Sequence, residues 1–262
     1  MSSRFLLLPS IAVGLIAGHR TAPLTTKYKI ELKAETTVDL TPFGQGEQKN
    51  SQGMVAYVGV TLNDTSGGKV MHVVVDSVRV ESGAMQISPG TVDSAKGATI
   101  HGFVDPHWKI SRLKSSLDSN LVVAQIRGLM GSFYPRVKAG AKQGEAWTDT
   151  TDVENKGPQQ AIKSRIVTNY TAGAQETVSG TAAMKVEAAF SATLAGTLEN
   201  PMAGQMEMEG SETGTGSHYI AADGRYLGGS STSSGKSLVK SAMAPDPISV
   251  KSVRSIMVTV IR

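Results

Sequence analysis

Over residues 27–40 apolar and polar side chains alternate almost without fault. Tyr28, Ile30, Leu32, Ala34, Thr36, Val38 and Leu40 fall on one face, and Lys27, Lys29, Glu31, Lys33, Glu35, Thr37 and Asp39 on the other. Successive side chains of a strand point to opposite sides, so this pattern predicts a long strand in a sheet with one face on a core and one in water. The same one-sided alternation returns in the second half, where Met184, Val186, Ala188, Phe190, Ala192, Leu194 and Leu198 oppose Lys185, Glu187, Ser191, Thr193, Thr197 and Glu199. Residues 55–62 and 70–80 flank a glycine-closed turn at 63–68 and predict a hairpin, and 99–104 with 108–113 predict another about Asp105-Pro106. Further strands are expected at 161–170, 183–198, 205–210 and 250–261, with a tight turn at Asp223-Gly224. Residues 42–52 and 88–97, and the Gly/Ser/Thr tract 228–236, carry no core-forming pattern and are expected to be loops or strand ends.

One segment has helical spacing. Leu117, Leu121, Val122, Ile126, Leu129, Met130 and Phe133 predict a helix over 116–133 that packs on the sheet, with Asp118 or Ser119 as its N-terminal cap. The expected fold is therefore mainly β: an antiparallel curved sheet or half-barrel with one central helix packed on it. The grammar of 27–115 recurs in 160–262, which suggests two similar halves joined by helix 116–133 and loop 134–159 within a single domain, 23–262.

The N-terminus changes where such a domain would work. Arg4 precedes an apolar run from 5 to 18 that closes on Ala17 and Gly18, the three parts of an export signal, so 1–22 is expected to be a signal segment. The run is shorter than the roughly 20 apolar residues of a membrane-spanning helix. The chain contains no cysteine, so neither disulfides nor cysteine lipidation can contribute. Its net charge of +4 is spread along the sequence without clustering, which points away from nucleic acid and is compatible with peripheral contact at an anionic membrane.

Phe133-x-Pro135 followed by Gly144-x-x-Trp147-x-Asp149, together with the hairpin 219–227 and the hydrophobic last strand, resembles a family of uncharacterised bacterial envelope lipoproteins in which an aromatic-proline corner precedes a G-x-x-W segment between β-rich halves. The resemblance implies export and a fold, with no activity attached. Where that family carries its lipidated cysteine, after a small residue, this chain has His19. More loosely, long one-sided strands with a packed helix are similar to half-barrel carriers of lipoproteins and lipids.

Candidate chemistry is sparse. His101, Asp105 and His107 are of metal-ligating type, but Pro106 turns the chain between them and no further ligand is evident, so no metal is expected. Ser111-x-x-Lys114 and Ser237-x-x-Lys240 have the spacing by which lysine activates serine in some envelope hydrolases, yet the supporting K-T-G element is missing. Gly235-Lys236-Ser237 resembles the end of a phosphate loop, with its first glycine out of register. The large aromatics Trp108, Phe133, Tyr134, Trp147 and Phe190 are the candidate ligand-binding residues, and serve equally well as core anchors; Met184, Met202, Met206 and Met208 share that ambiguity. The expectation is an exported periplasmic or cell-envelope protein of a bacterium, non-enzymatic and without cofactor, that binds a lipid or acyl chain in an apolar groove. The alternatives are a structural module that pairs with another envelope protein and, behind it, a Ser-Lys hydrolase.

Overall fold

The computed structural model describes residues 25–81, 87–157, 160–200, 204–241, 244 and 246–261, so the expected signal segment 1–22 lies outside the described residues. Eleven strands form one antiparallel sheet: β1 (Thr25–Asp39), β2 (Glu47–Thr65), β3 (Gly68–Glu81), β4 (Thr99–Val104), β5 (Ile110–Ser115), β6 (Ala146–Gly157), β7 (Gln160–Val178), β8 (Thr181–Asn200), β9 (Gly204–Ala221), β10 (Tyr226–Ser241) and β11 (Ile248–Ile261). Their spatial order is β5-β4-β3-β2-β1-β11-β10-β9-β8-β7-β6. The chain thus steps outward from β1 to β5, crosses to β6, and steps back until β11 pairs with β1 from Lys27↔Ile261 to Val38↔Val250. This is the neighbour order of an up-and-down barrel left open between β5 and β6.

The sheet curls strongly. Laid flat, β5 and β6 would stand ten strand spacings apart, about 48 Å at ~4.8 Å each. Instead Ile110 of β5 and Thr151 of β6 border one cavity. The short helix α1 (Pro89–Asp93) packs against β3 and against the helix α2 (Leu121–Met130), which itself packs against β5. The segment that follows α2 links the β4–β5 turn to β6, through the Val137 N–H to the His107 carbonyl and the Trp147 indole N–H to the Arg136 carbonyl. Val122, Val123, Ile126 and Met130 of α2 are buried in one cluster with Met54, Met71, Val73 and Ile100 of the sheet.

The expected curved antiparallel sheet with a packed helix is what forms, but several boundaries differ. Helix α2 covers ten residues, not 116–133. Its cap is Asn120, whose side-chain oxygen accepts from the backbone N–H groups of Val122 and Val123 at 2.9 and 3.1 Å. Asp118 is engaged instead by the Ser115 hydroxyl and Arg127, and Leu117 and Leu121 of the predicted stripe are exposed. An Asn120→Ala variant should lose about 1 kcal/mol of stability in urea unfolding; no loss would mean the cap is not what starts the helix.

Four predicted loops contain regular structure. Residues 47–52 already belong to β2, because pairing with β1 from Asp39↔Glu47 to Ala34↔Gln52 satisfies their backbone without an apolar face. Ser88 caps α1 within the expected loop 88–97. The expected loop 134–159 contains β6, paired with β7 from Ala146↔Thr171 onward. The clearest correction concerns 228–236. This Gly/Ser/Thr tract lies inside β10, hydrogen-bonded between β9 and β11. Both neighbours supply the ladder, so the strand needs no apolar side chains of its own. Gly228, at φ 100°, sits by the irregularity between Tyr226 and Gly229, where a Cβ would come within 2.2 Å of the Val258 carbonyl oxygen.

Candidate ligand cavity

Inside the curl lies a cavity of about 870 Å³, within the size range of small-molecule sites. Its walls are described by rows of residues that face each other across the strands. The deepest row runs Ile30, Val258, Gly229, His218, Val186. The next runs Leu32, Ile256, Ser231, Gly216, Ala188, Tyr170, and the third Ala34, Arg254, Ser233, Gly214, Phe190, Thr168, Asp149. The space exists because β9 and β10 present only glycine and serine in the second and third rows, opposite aliphatic and aromatic residues. Phe190 lies over Gly214, where a Cβ would meet the ring at 2.4 Å.

An aromatic cluster closes the deep end. Phe133 sits edge-on to Tyr28, Tyr134 and Tyr226 with centroid distances of 5.1, 4.9 and 5.3 Å. Trp108 packs edge-on against Tyr134 at 4.9 Å. Edge-to-face pairs of this kind add ~0.5–1.5 kcal/mol each beyond burial. The Tyr28 hydroxyl donates to the Tyr226 carbonyl at 3.0 Å, and the Tyr226 hydroxyl lies 3.2 Å from His218 Nδ1. Burial pushes the phenols of Tyr28, Tyr134 and Tyr226 up, so all three stay neutral. Trp108 holds a left-handed backbone (φ 66°) in the β4–β5 turn, where Asp105 accepts from the N–H groups of His107 and Lys109.

Burial also lowers the pKa of His218 to about 4. In the unfolded chain the imidazole regains an ordinary value near 6.5. Between these values the unfolded state binds the proton and the folded state does not, so stability is full above about pH 6.5 and falls as the pH drops toward 4. A His218→Phe variant should show a flatter acid limb in a pH series of urea midpoints; an unchanged limb would mean that His218 does not set it.

Side chains above this floor are charged. Arg136 Nε donates to Asp149 Oδ2 at 3.1 Å, and Arg254 Nη2 donates to Glu212 Oε1 at 2.7 Å, bridging over the small residues of β10. Burial would raise the Asp149 carboxyl, but hydrogen bonds from Arg136 and Thr151 and the guanidinium charge outweigh it and hold it below the usual range. The Arg136 carbonyl also receives the Trp147 indole N–H at 3.2 Å, which ties β6 to the segment after α2.

Of the candidate residues, Phe133, Tyr134 and Phe190 line the cavity. Trp108 stands behind Tyr134, and Trp147 stacks on Tyr170 at 5.7 Å, so both indoles support lining residues rather than form the wall. Sequence reasoning missed Arg136, Asp149, Glu212, His218 and Arg254. Arg254 was visible in principle, as a charge at the inward phase of the alternating series Ile248, Val250, Ser252, Arg254, Ile256, Val258.

The other candidate chemistry does not assemble. His101 is drawn to His72 on the neighbouring strand, with Nδ1 atoms 3.2 Å apart, and among the described residues no three metal-ligating side chains converge. Ser237 and Lys240 point to opposite faces of β10, and Lys240 pairs with Glu209. Among the described residues no hydrogen bond joins Ser111 to Lys114 of β5, which a bulge separates. Gly235-Lys236-Ser237 is strand, not a loop before a helix.

The fold and cavity define a class: an incomplete antiparallel barrel with a sealed apolar floor and a charged upper wall. No family model and no curated protein matches the chain. Among solved structures, a mutant of Rh. blastica porin is 10% identical over 90% of this chain and 100% of that one, with a TM-score of 0.28. OccAB4 of Acinetobacter baumannii is 7% identical over 91% of this chain and 99% of that one, with a TM-score of 0.24. Likeness this loose carries no argument. The outward residues of β1 and β8 are mostly polar, as Lys27, Lys29, Glu31, Lys33 and Glu35 and Lys185, Glu187, Ser191 and Thr193 show, whereas Tyr57 of β2 and Val253 and Met257 of β11, in register on the same face, are exposed.

Proposed function

We propose that the protein is exported to a bacterial envelope, where it binds a hydrophobic ligand, a lipid or acyl chain, without catalysing a reaction. The observation that carries this reading is the cavity of about 870 Å³ between the aliphatic wall of β1 and β11 and the small-residue wall of β9 and β10. The charged outward residues of β1 and β8 support a water-facing domain, and the segment from Arg4 to Gly18 supports export and kinship with the envelope family whose corner motif the chain resembles. A purely structural module would be expected to fill its core and leave a strand edge bare. Here the core holds space, and the free edge strand β6 carries Asp149, Asp152 and Glu154, charges of the kind that discourage edge pairing.

Mass spectrometry of organic extracts tests the reading, using protein purified gently from its native envelope beside a control protein handled identically. A reproducible stoichiometric lipid is the expected result. A clean blank, together with no binding of added lipid, overturns it and moves the search to protein partners.

A further inference from the structure

Arg254 and Arg136 reach the cavity at one level, because Arg254 stands in the third row on β11, beside Ala34, and Arg136 holds Asp149 at the far end of the same row. Each guanidinium makes a one-pronged bond to its carboxylate, Nη2 of Arg254 to Glu212 and Nε of Arg136 to Asp149. A guanidinium has five N–H donors and favours two-pronged contacts with carboxylate or phosphate. Among the described residues both arginines therefore keep unused donors beside the cavity. Lys109, from the β4–β5 turn, is a third cation on the lining and makes no ion pair among the described residues. Three cations against two carboxylates leave one positive charge at this level. Toward the floor the lining turns apolar, through Leu32, Ile256, Tyr170 and Phe133.

We infer that the ligand is an anionic amphiphile, its alkyl chain lying on the floor side and its carboxylate or phosphate head accepting N–H groups of Arg254 and Arg136. The inference rests on the cavity reading above and narrows it to a chemical class. Glu212 and Asp149 then have a positional role: they hold the two guanidinium groups extended along the wall, so that the head group meets donors already in place. A neutral lipid would leave those donors unused, and a cationic one would meet like charge.

The test uses the full chain, stripped of bound lipid, titrated with tetradecanoate, tetradecyl phosphate, tetradecanol and tetradecyltrimethylammonium below their aggregation thresholds. Calorimetry is one readout. The second is intrinsic tryptophan fluorescence, since Trp147 stacks on the lining residue Tyr170 and Trp108 packs on the lining residue Tyr134. The expected result is that one or both anions bind roughly tenfold or more tightly than the alcohol, the difference that charge-assisted hydrogen bonds supply. The tighter anion distinguishes a fatty acid from a phosphorylated lipid. Arg254→Gln should shrink the margin of anion over alcohol, and Lys109→Gln, at an exposed side chain, should shrink it less. Equal binding of anion and alcohol, or a margin untouched in both variants, overturns this inference and leaves the cavity reading standing. Failure of all four probes to bind overturns the cavity reading itself.

Discussion

Replacing Phe133 by alanine is expected to cost about 3–5 kcal/mol of stability, measured by urea or guanidinium unfolding. The residue is 4% exposed and its ring meets Tyr28 of β1, Tyr134 and Tyr226 of β10, so it joins the chain segment after α2 to the two strands that flank the central β11. The surrounding groups cannot collapse into the space left behind, because they are rigid rings on hydrogen-bonded strands, with Tyr28 bonded to the Tyr226 carbonyl. Truncation therefore removes both the buried surface and the edge contacts. Leu121→Ala is the matched control: Leu121 is 62% exposed on α2 and should lose less than about 1 kcal/mol. If the two variants unfold at the same denaturant concentration, Phe133 is not the keystone of the floor.

Replacing Ser231 by tryptophan is expected to abolish ligand binding, with affinity for an alkyl amphiphile falling roughly a hundredfold, because binding depends on well-fitted concave space. Ser231 lies in the second row between Ile256 and Gly216, where the cavity takes up the volume that side chains leave free. An indole built there projects into space rather than into packed atoms, so the thermal midpoint should hold or rise while binding disappears. The same calorimetric titration and a melting curve check both halves. Retained affinity in a folded Ser231→Trp protein would place the ligand elsewhere. Loss of the fold would be separated from loss of binding by Ser233→Leu, a smaller intrusion one row higher, which should weaken binding in proportion to the volume it takes.

Much of the architecture was legible because it follows from local rules. The alternation at 27–40 and 184–198 identified which side chains face inward, and the register places Tyr28, Ile30 and Leu32, buried, on that face. The cavity was harder to read. Its space comes from Gly216, Ser231 and Ser233, and the two serines stand in a tract whose lack of hydrophobicity makes it look like loop. Its charges come from Arg136, Asp149, Glu212 and Arg254, which are scattered across the chain and meet only where strands and rows align. Three of the five candidate aromatics reach the wall and both tryptophans stand behind it, a distinction between facing space and facing another ring that spacing along one strand cannot express.

The sequence by itself determined the strands with regular alternation, as at 27–40 and 184–198, the apolar face of each, and the presence of one helix, because side-chain direction in a strand or helix repeats with a local period. It did not determine that β10 would be a central strand, that β11 would close onto β1, or that the sheet would curl until α2 and the segment after it bridged β5 and β6. β10 owes its place to the neighbouring strands β9 and β11, and the closure of β11 onto β1 depends on partners more than two hundred residues away, while Tyr28 meets Tyr226 across 198 positions. A backbone N–H is satisfied by any strand beside it, so pairing with neighbours, and not the residue's own propensity, decided that a Gly/Ser tract would be a wall of the cavity.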